Sequence, residues 1–283
     1  MATRRRVKKI SSCSEEASAR GPNQRVVSYS YFGNTSDPGL YNRYFSEIRA
    51  RAIEIQQHYP DFVMRVYHNV GPEDEKGRRE MCRAYCDFPH LDFCNVRELP
   101  EPWFDFSAKQ KVGTMWRFLT LMDPLVDTTM FRDLDSYVLP REVAAVDEWL
   151  WSDSPYHVMR DHPLHNAQIL AGLWGCQTHL DRGNSYHYGA MLLSQPYSDL
   201  WDYDQRLLRR ILWPLIRNRT MVHNSYTCKA SIFQGQGSSR PFPTQREGLN
   251  YTGYGKTKIE VTKLLTACPL VCRPPSHQDW ILC

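Results

Sequence analysis

Nowhere in this 283-residue chain does an apolar run reach the ~18–20 residues that a membrane-spanning helix needs. The opening residues, MATRRRVKK, are basic where a secretory signal would be apolar, so as written the chain reads as soluble. An internal repeat is also missing, which sets aside solenoids and propellers. No G-x-G-x-x-G follows the first expected strand, so a dinucleotide site has no support. NYTGYGKT ends like a phosphate loop, but position 250 is Asn where that loop requires Gly, and the match is a coincidence. Charge of one sign is scarce overall: the net +4 is modest and concentrates in the first residues, which read as a solvated arm and not as a nucleic-acid surface.

What is present indicates a folded domain. Hydrophobic residues make up 42% and aromatics 12%, enough to bury a sizeable core. The nine cysteines are an odd number and compel no disulfide framework in a chain this long. Cys82, Cys86, His90 and Cys94 recur at intervals of four, and Cys268, Cys272, His277 and Cys283 gather near the end; neither group has the short spacing of a zinc knuckle. Sequons at Asn34, Asn218 and Asn250 admit a secretory location without arguing for it.

Residues 1–24 lack periodicity and are expected to be a disordered basic segment. Val26–Phe32 then reads as a strand, Asp37–Pro38 as a helix start, and Leu40, Tyr41, Tyr44, Phe45, Ile48, Ala52 and Ile55 as an amphipathic stripe. DFVMRVYHN supplies a second strand. Strand, helix and strand in so short a span imply a βαβ crossover and a parallel sheet. The alternation continues through strands in LDFCNVREL, VDTTMFRDLDS, YHVMRDHP and TMVHNSYTC. Helices are expected in SAKQKVGTMWRFLTLM, LPREVAAVDEWLWS and SDLWDYDQRLLRRILWPLI. The fold class expected is α/β: a single doubly wound, mostly parallel sheet domain over residues 25–260, followed by a Pro- and Cys-rich tail at 261–283.

In such sheets ligands collect at the carboxyl ends of the strands. Arg132, Asp133, Asp135, Arg160, Asp161, His162 and His223 all fall at or just past expected strand ends. Asp133 and Asp135 are two apart, so in extended backbone their carboxylates share a side. At ~5 Å separation they repel by about 3 kcal/mol at an effective dielectric of ~20. A positive partner is therefore expected, and oxygen ligands suit Mg²⁺ or Mn²⁺. His223 is a reasonable third ligand.

GTMWRFLTLMDPLVDTTMFRDLDSYVLPREVAAVDEWL, YHVMRDHPLHNAQILAGLWG and DYDQRLLRRILWPLI resemble, in order, the motifs of a glycosyltransferase-like family with the GT-A fold, in the nucleotide-diphospho-sugar transferase superfamily. The likeness covers roughly residues 25–255, and its R-D-x-D-S, M-R-D-H-P and D-Q-x-x-L elements are far more specific together than singly. It implies that Asp133 and Asp135 hold Mn²⁺ or Mg²⁺, with His223 as the C-terminal metal ligand. It further implies that Arg117 and Arg132 meet the donor and that Gly172 lets the NAQILAGLWG loop approach the donor sugar. Asp161 and Asp204 become the carboxylates available to the reaction. Relatives of this kind read H-D-S where this chain has His223–Asn224–Ser225.

The implied activity is a metal-dependent transfer of sugar from a UDP- or GDP-linked donor to a glycan, protein or small-molecule acceptor. The resemblance and the sequons together admit the secretory pathway or Golgi. Two other readings compete: a catalytically silent binding or scaffold protein on the same fold, and a metal-dependent phosphohydrolase using the same carboxylates.

Overall fold

The structure, a computed structural model, describes residues 10–105, 112–200, 202–228, 238–255 and 265–283. The fold is mixed α/β. Eight strands form one sheet in the order β3-β2-β1-β4-β6-β5-β7-β8. These are β1 (Gln24–Tyr31), β2 (Val63–His68), β3 (Leu91–Asn95), β4 (Val126–Phe131), β5 (Tyr156–Arg160), β6 (Trp174–Cys176), β7 (Thr220–Asn224) and β8 (Ser238–Arg240). All pairings are parallel except those of β6, which runs against both β4 and β5. Chain order runs outward in opposite directions from β1 and β4, so the two halves of the sheet diverge there and leave a crevice at their carboxyl ends.

Helices cover both faces. The labelled ones are α1 (Glu15–Ala19), α2 (Glu47–His58), α3 (Glu75–Asp87), α4 (Pro140–Leu150), α5 (Arg182–Leu193) and α6 (Tyr203–Leu207). One core layer joins α2, α3 and α4 to the sheet through Met130, Met159, Met221 and Trp149. The other joins a 3-10 helix, Gly113–Leu121, and α5 and α6 through Phe118, Phe131, Trp174, Val158 and Val222. Neighbouring residues of a strand feed opposite layers, as the pleat requires: Met130 one, Phe131 the other. Phe131 stacks on Trp174 at 4.2 Å between ring centres, with Phe118 edge-on to it.

The N-terminal end of the described chain differs from expectation. Residues 10–23 are not unstructured. Ser14 caps α1, Ser11 and Ser12 donate to the buried Asp123 carboxylate, and Cys13 forms a disulfide with Cys94. Near the C-terminus, Cys228–Cys272 bonds residues 265–283 to the domain, and Cys268–Cys283 closes a loop within that segment. The zinc groupings dissolve accordingly: Cys94, Cys268, Cys272 and Cys283 are disulfide-bonded, and His90 Nε2 lies 2.8 Å from the Ala52 carbonyl. Residues 1–9, the 260/261 boundary and the Lys256–Thr257 end of the loop-like stretch lie outside the described residues.

The helices α1 and α3 and three further elements were not expected from the sequence. β6 begins at the last two residues of NAQILAGLWG, α5 follows it, and β8 is only three residues long. The helix expected from Ser198 starts instead at Tyr203, with Asp202 before it, and passes through a π turn at Leu208–Leu212.

Candidate functional site

The crevice centres on Asp133, two residues past β4. Phe131 points into the layer of the 3-10 helix, so Asp133 faces that layer too, where Arg117 projects from the helix. Arg117 Nη1 donates to Asp133 Oδ1 at 2.6 Å and to the Arg132 carbonyl at 3.0 Å, while Nη2 donates to Asp204 Oδ2 at 2.8 Å. One guanidinium thus bridges two carboxylates from distant segments. Burial works against the Arg117 charge, but Asp133 and Asp204 outweigh it and push the pKa up. Asp204 is nearly sealed; burial pushes its pKa up, with Arg117 pulling the other way. Asp133 is different: its side chain is 43% exposed and opens toward solvent.

A loop closes on this group. Gln205 accepts from the Ala171 N–H at 3.0 Å and donates to the Ile169 carbonyl, pinning residues 169–171 beside Asp133. A Cβ on Gly172 would overlap the Asp133 carboxylate, so Gly is required there by contact and not by backbone angle. The D-Q pair therefore has two separate tasks: Asp204 holds Arg117, and Gln205 holds the loop.

Asp135 sits nearby but faces a different cation. Arg43 Nη2 donates to its Oδ2 at 3.1 Å from the π turn Tyr41–Phe45. The Tyr44 hydroxyl feels both aspartates: burial pushes its pKa up first, and the Asp135 and Asp133 charges add to that. Arg43 and Tyr44 were not recognised as site residues in the sequence, because the helical stripe there reads as packing. The available signal was position, since the segment directly follows β1 at the crevice.

Three expected site residues are placed elsewhere. Arg132 is one residue out of phase with Asp133, so its side chain enters the opposite layer. There Nε donates to the buried Glu142 at 2.6 Å, and Nη1 reaches the Phe131 and Trp174 carbonyls. The cations that meet the two aspartates are Arg117 and Arg43, not Arg132. His223 also faces that opposite layer. Its Nδ1 lies 2.8 Å from His157 Nε2 and its Nε2 lies 3.0 Å from Glu148. Burial pushes His223 toward the neutral ring. A neutral ring still donates from Nε2, and that bond leads the causes that bring Glu148 down to about 2. With both nitrogens engaged, His223 does not join the aspartates.

Asp161 is the third. It is fully buried and receives Arg141 Nε at 2.9 Å, Arg246 Nη2 at 2.7 Å, Ser225 Oγ at 2.6 Å and the Thr252 N–H at 2.9 Å. Burial opposes its charge, but Arg141 and Arg246 outweigh it and hold the carboxyl well below the usual range. A sealed carboxylate with this many donors is a fastener, not a proton acceptor for a substrate.

Asp133 and Asp135 offer hard oxygens in one crevice, which suits Mg²⁺ or Mn²⁺ when water and a diphosphate complete the shell. Among the described residues no three His, Cys, Asp or Glu side chains are grouped to hold a metal by themselves. Asp133 and Asp135 are the oxygen donors such an ion would meet here, and His223 is not among them.

No protein-family model matches the sequence, and no curated protein matches it. Among solved structures, the apo structure of the WbbM bifunctional glycosyltransferase is similar at 13% identity with a TM-score of 0.44, over 70% of this chain. The match covers 38% of that chain, so the present protein spans well under half of its length. Among the described residues no helix is long and apolar enough to cross a membrane.

Proposed function

We propose that the crevice binds a nucleotide-diphospho-sugar and that the protein is a GT-A-like glycosyltransferase. The observation that carries this reading is the buried Arg117, anchored by Asp204 and turned onto the half-open Asp133 at the point where the sheet's strand order reverses. A preorganised, buried guanidinium suits a diphosphate, whose charge grows as the sugar–phosphate bond breaks. Asp133 and Asp135 would hold Mn²⁺ or Mg²⁺, and the ion when bound would add Lewis-acid stabilisation to the same charge. Arg117 orients Asp133, Gln205 keeps the loop seated, and Gly172 leaves the carboxylate room. The three disulfides fit folding in an oxidising compartment, such as the secretory pathway.

A second reading, a nucleotide-sugar-binding protein without turnover, draws on one observation: the two carboxylates expected to act on an acceptor, Asp161 and Asp204, are both committed to arginines. Calorimetric titration of UDP and GDP with and without Mn²⁺ tests the binding step. A nucleotide-sugar panel scored for released nucleoside diphosphate then separates the two readings. Binding of neither nucleotide, with or without Mn²⁺, would overturn both.

A further inference from the structure

At the opposite end of the sheet from the crevice, the amino ends of β1 and β2 and the last turn of α4 enclose a cavity of about 340 Å³. Trp151 stands at its edge and is 92% exposed, although its backbone is fixed by an N–H bond to the Asp147 carbonyl at 3.1 Å. An indole costs free energy when left in water, so an almost wholly exposed one beside a cavity offers a surface for contact.

The rest of the lining narrows the partner. Asp61 and Asp147 bring two carboxylates, and the Arg25 charge acts on Asp147 against its burial. Arg25 lies over the Phe62 ring at 4.7 Å and reaches Asp61 only at 4.0 Å, so its donors are not saturated by that pair. Two acids against one guanidinium disfavour a phosphorylated or otherwise anionic ligand. What remains is an aromatic plane beside oxygen acceptors and one donor fork. That combination takes a ring with apolar C–H faces and equatorial hydroxyls.

We infer that this cavity is a second, non-catalytic binding site for a neutral oligosaccharide, with Trp151 as the stacking platform and Asp61 and Asp147 accepting its hydroxyl hydrogens. The inference is independent of the crevice, about which it assumes nothing.

Saturation-transfer NMR on the whole protein, with chitotriose, cellotriose, maltotriose and lactose as probes, tests it. At least one probe should bind saturably. Trp151→Ala should weaken it at least tenfold, about 1.4 kcal/mol, Trp151→Phe should retain part of the affinity, and excess UDP with Mn²⁺ should leave it unchanged. Trp151 is on the surface, so its replacement leaves the fold intact, which thermal melting verifies. Three outcomes overturn the inference: no probe binding at millimolar concentration, binding that survives Trp151→Ala, or displacement by UDP. A concentration-dependent dimer abolished by Trp151→Ala also overturns it, because the surface would then belong to a second copy.

Discussion

Asp161 and Asp133 follow strands in the same sheet, carry the same side chain and each meet an arginine, yet they have opposite fates. At the end of β5, Asp161 is surrounded by Arg141, Arg246, Ser225 and Thr252, which bring together α4, β7 and the segment after β8. At the end of β4, Asp133 shares one guanidinium and keeps nearly half its surface in water. The difference lies in what packs above the strand end. Residues 244–252 lie across the Asp161 side, whereas the pinned loop at 169–172 lies beside Asp133 and leaves it half open. A carboxylate at a strand end is therefore a fastener when later chain seals it, as at Asp161, and stays half open where it is not sealed, as at Asp133.

The largest expected effect follows from the fastener. Asp161→Asn leaves Arg141 and Arg246 uncompensated in the interior and should cost about 3–5 kcal/mol in chemical denaturation. Because the folded carboxyl lies below its unfolded value of roughly 3.9, its contribution is present above that pH and fades as pH falls toward the folded value. The gap between wild type and variant should therefore be full at pH 7 and shrink below about pH 4. Nucleotide affinity of the folded variant should stay at wild type; a selective loss of binding with normal stability would move Asp161 into the site.

Arg132→Met breaks a buried pair on the wrong face for the crevice. It should lower stability by about 3 kcal/mol by stranding Glu142, again without touching nucleotide binding. The contrast with its neighbour sharpens the comparison, since Asp133 is one residue away.

That contrast also marks how far the sequence was legible. The strand–helix alternation was readable because apolar residues recur at the right periods, and the motif-bearing strand ends were found. The phase within R-D-L-D was equally written in the sequence: Met130 and Phe131 must face opposite layers, so Arg132 and Asp133 must as well. Reading the tetrad as one charged unit hid it. Arg43 and Gln205 were harder, because their partners are more than 30 residues away and no local pattern records the pairing. The order in residues 10–23 rests on a disulfide to Cys94 and bonds to Asp123, contacts that polar, aperiodic sequence does not announce. His223 was legible as a strand-end histidine, but its phase with Met221 rather than Val222 sends it to the other layer.

On the ligand side, Arg117→Lys should weaken nucleotide binding at least tenfold, about 1.4 kcal/mol. A single ammonium does not reproduce a fork that reaches Asp133, Asp204 and the Arg132 carbonyl together. Titration calorimetry reads the loss. Affinity equal to wild type would remove Arg117 from the donor site. Gly172→Ala should be milder, roughly a few-fold in affinity with under ~1 kcal/mol in stability, because the new methyl displaces the Asp133 carboxylate and not the backbone.

The smallest effect concerns Arg43, and it decides what that residue does. Its ion pair with Asp135 is half-exposed on the arginine side, so it should contribute about 0.2–1 kcal/mol to stability. If Arg43 occupies the carboxylate only until a cation arrives, it competes with that cation for Asp135. Arg43→Gln then relieves the competition, and the Mn²⁺ concentration needed for half-maximal UDP binding should fall, by up to about fivefold when the whole pair energy is recovered. If Arg43 instead swings to the diphosphate, the same variant should bind UDP more weakly at every Mn²⁺ concentration. The two outcomes have opposite signs and come from one titration. The geometry favours competition, because Arg43 Nε and Nη2 both address the same Asp135 oxygen, at 3.3 and 3.1 Å, in the crevice that Asp133 shares. Weaker binding in Arg43→Gln would make Arg43 a donor contact and leave Asp135, like Asp161, a carboxylate whose main partner is the protein itself.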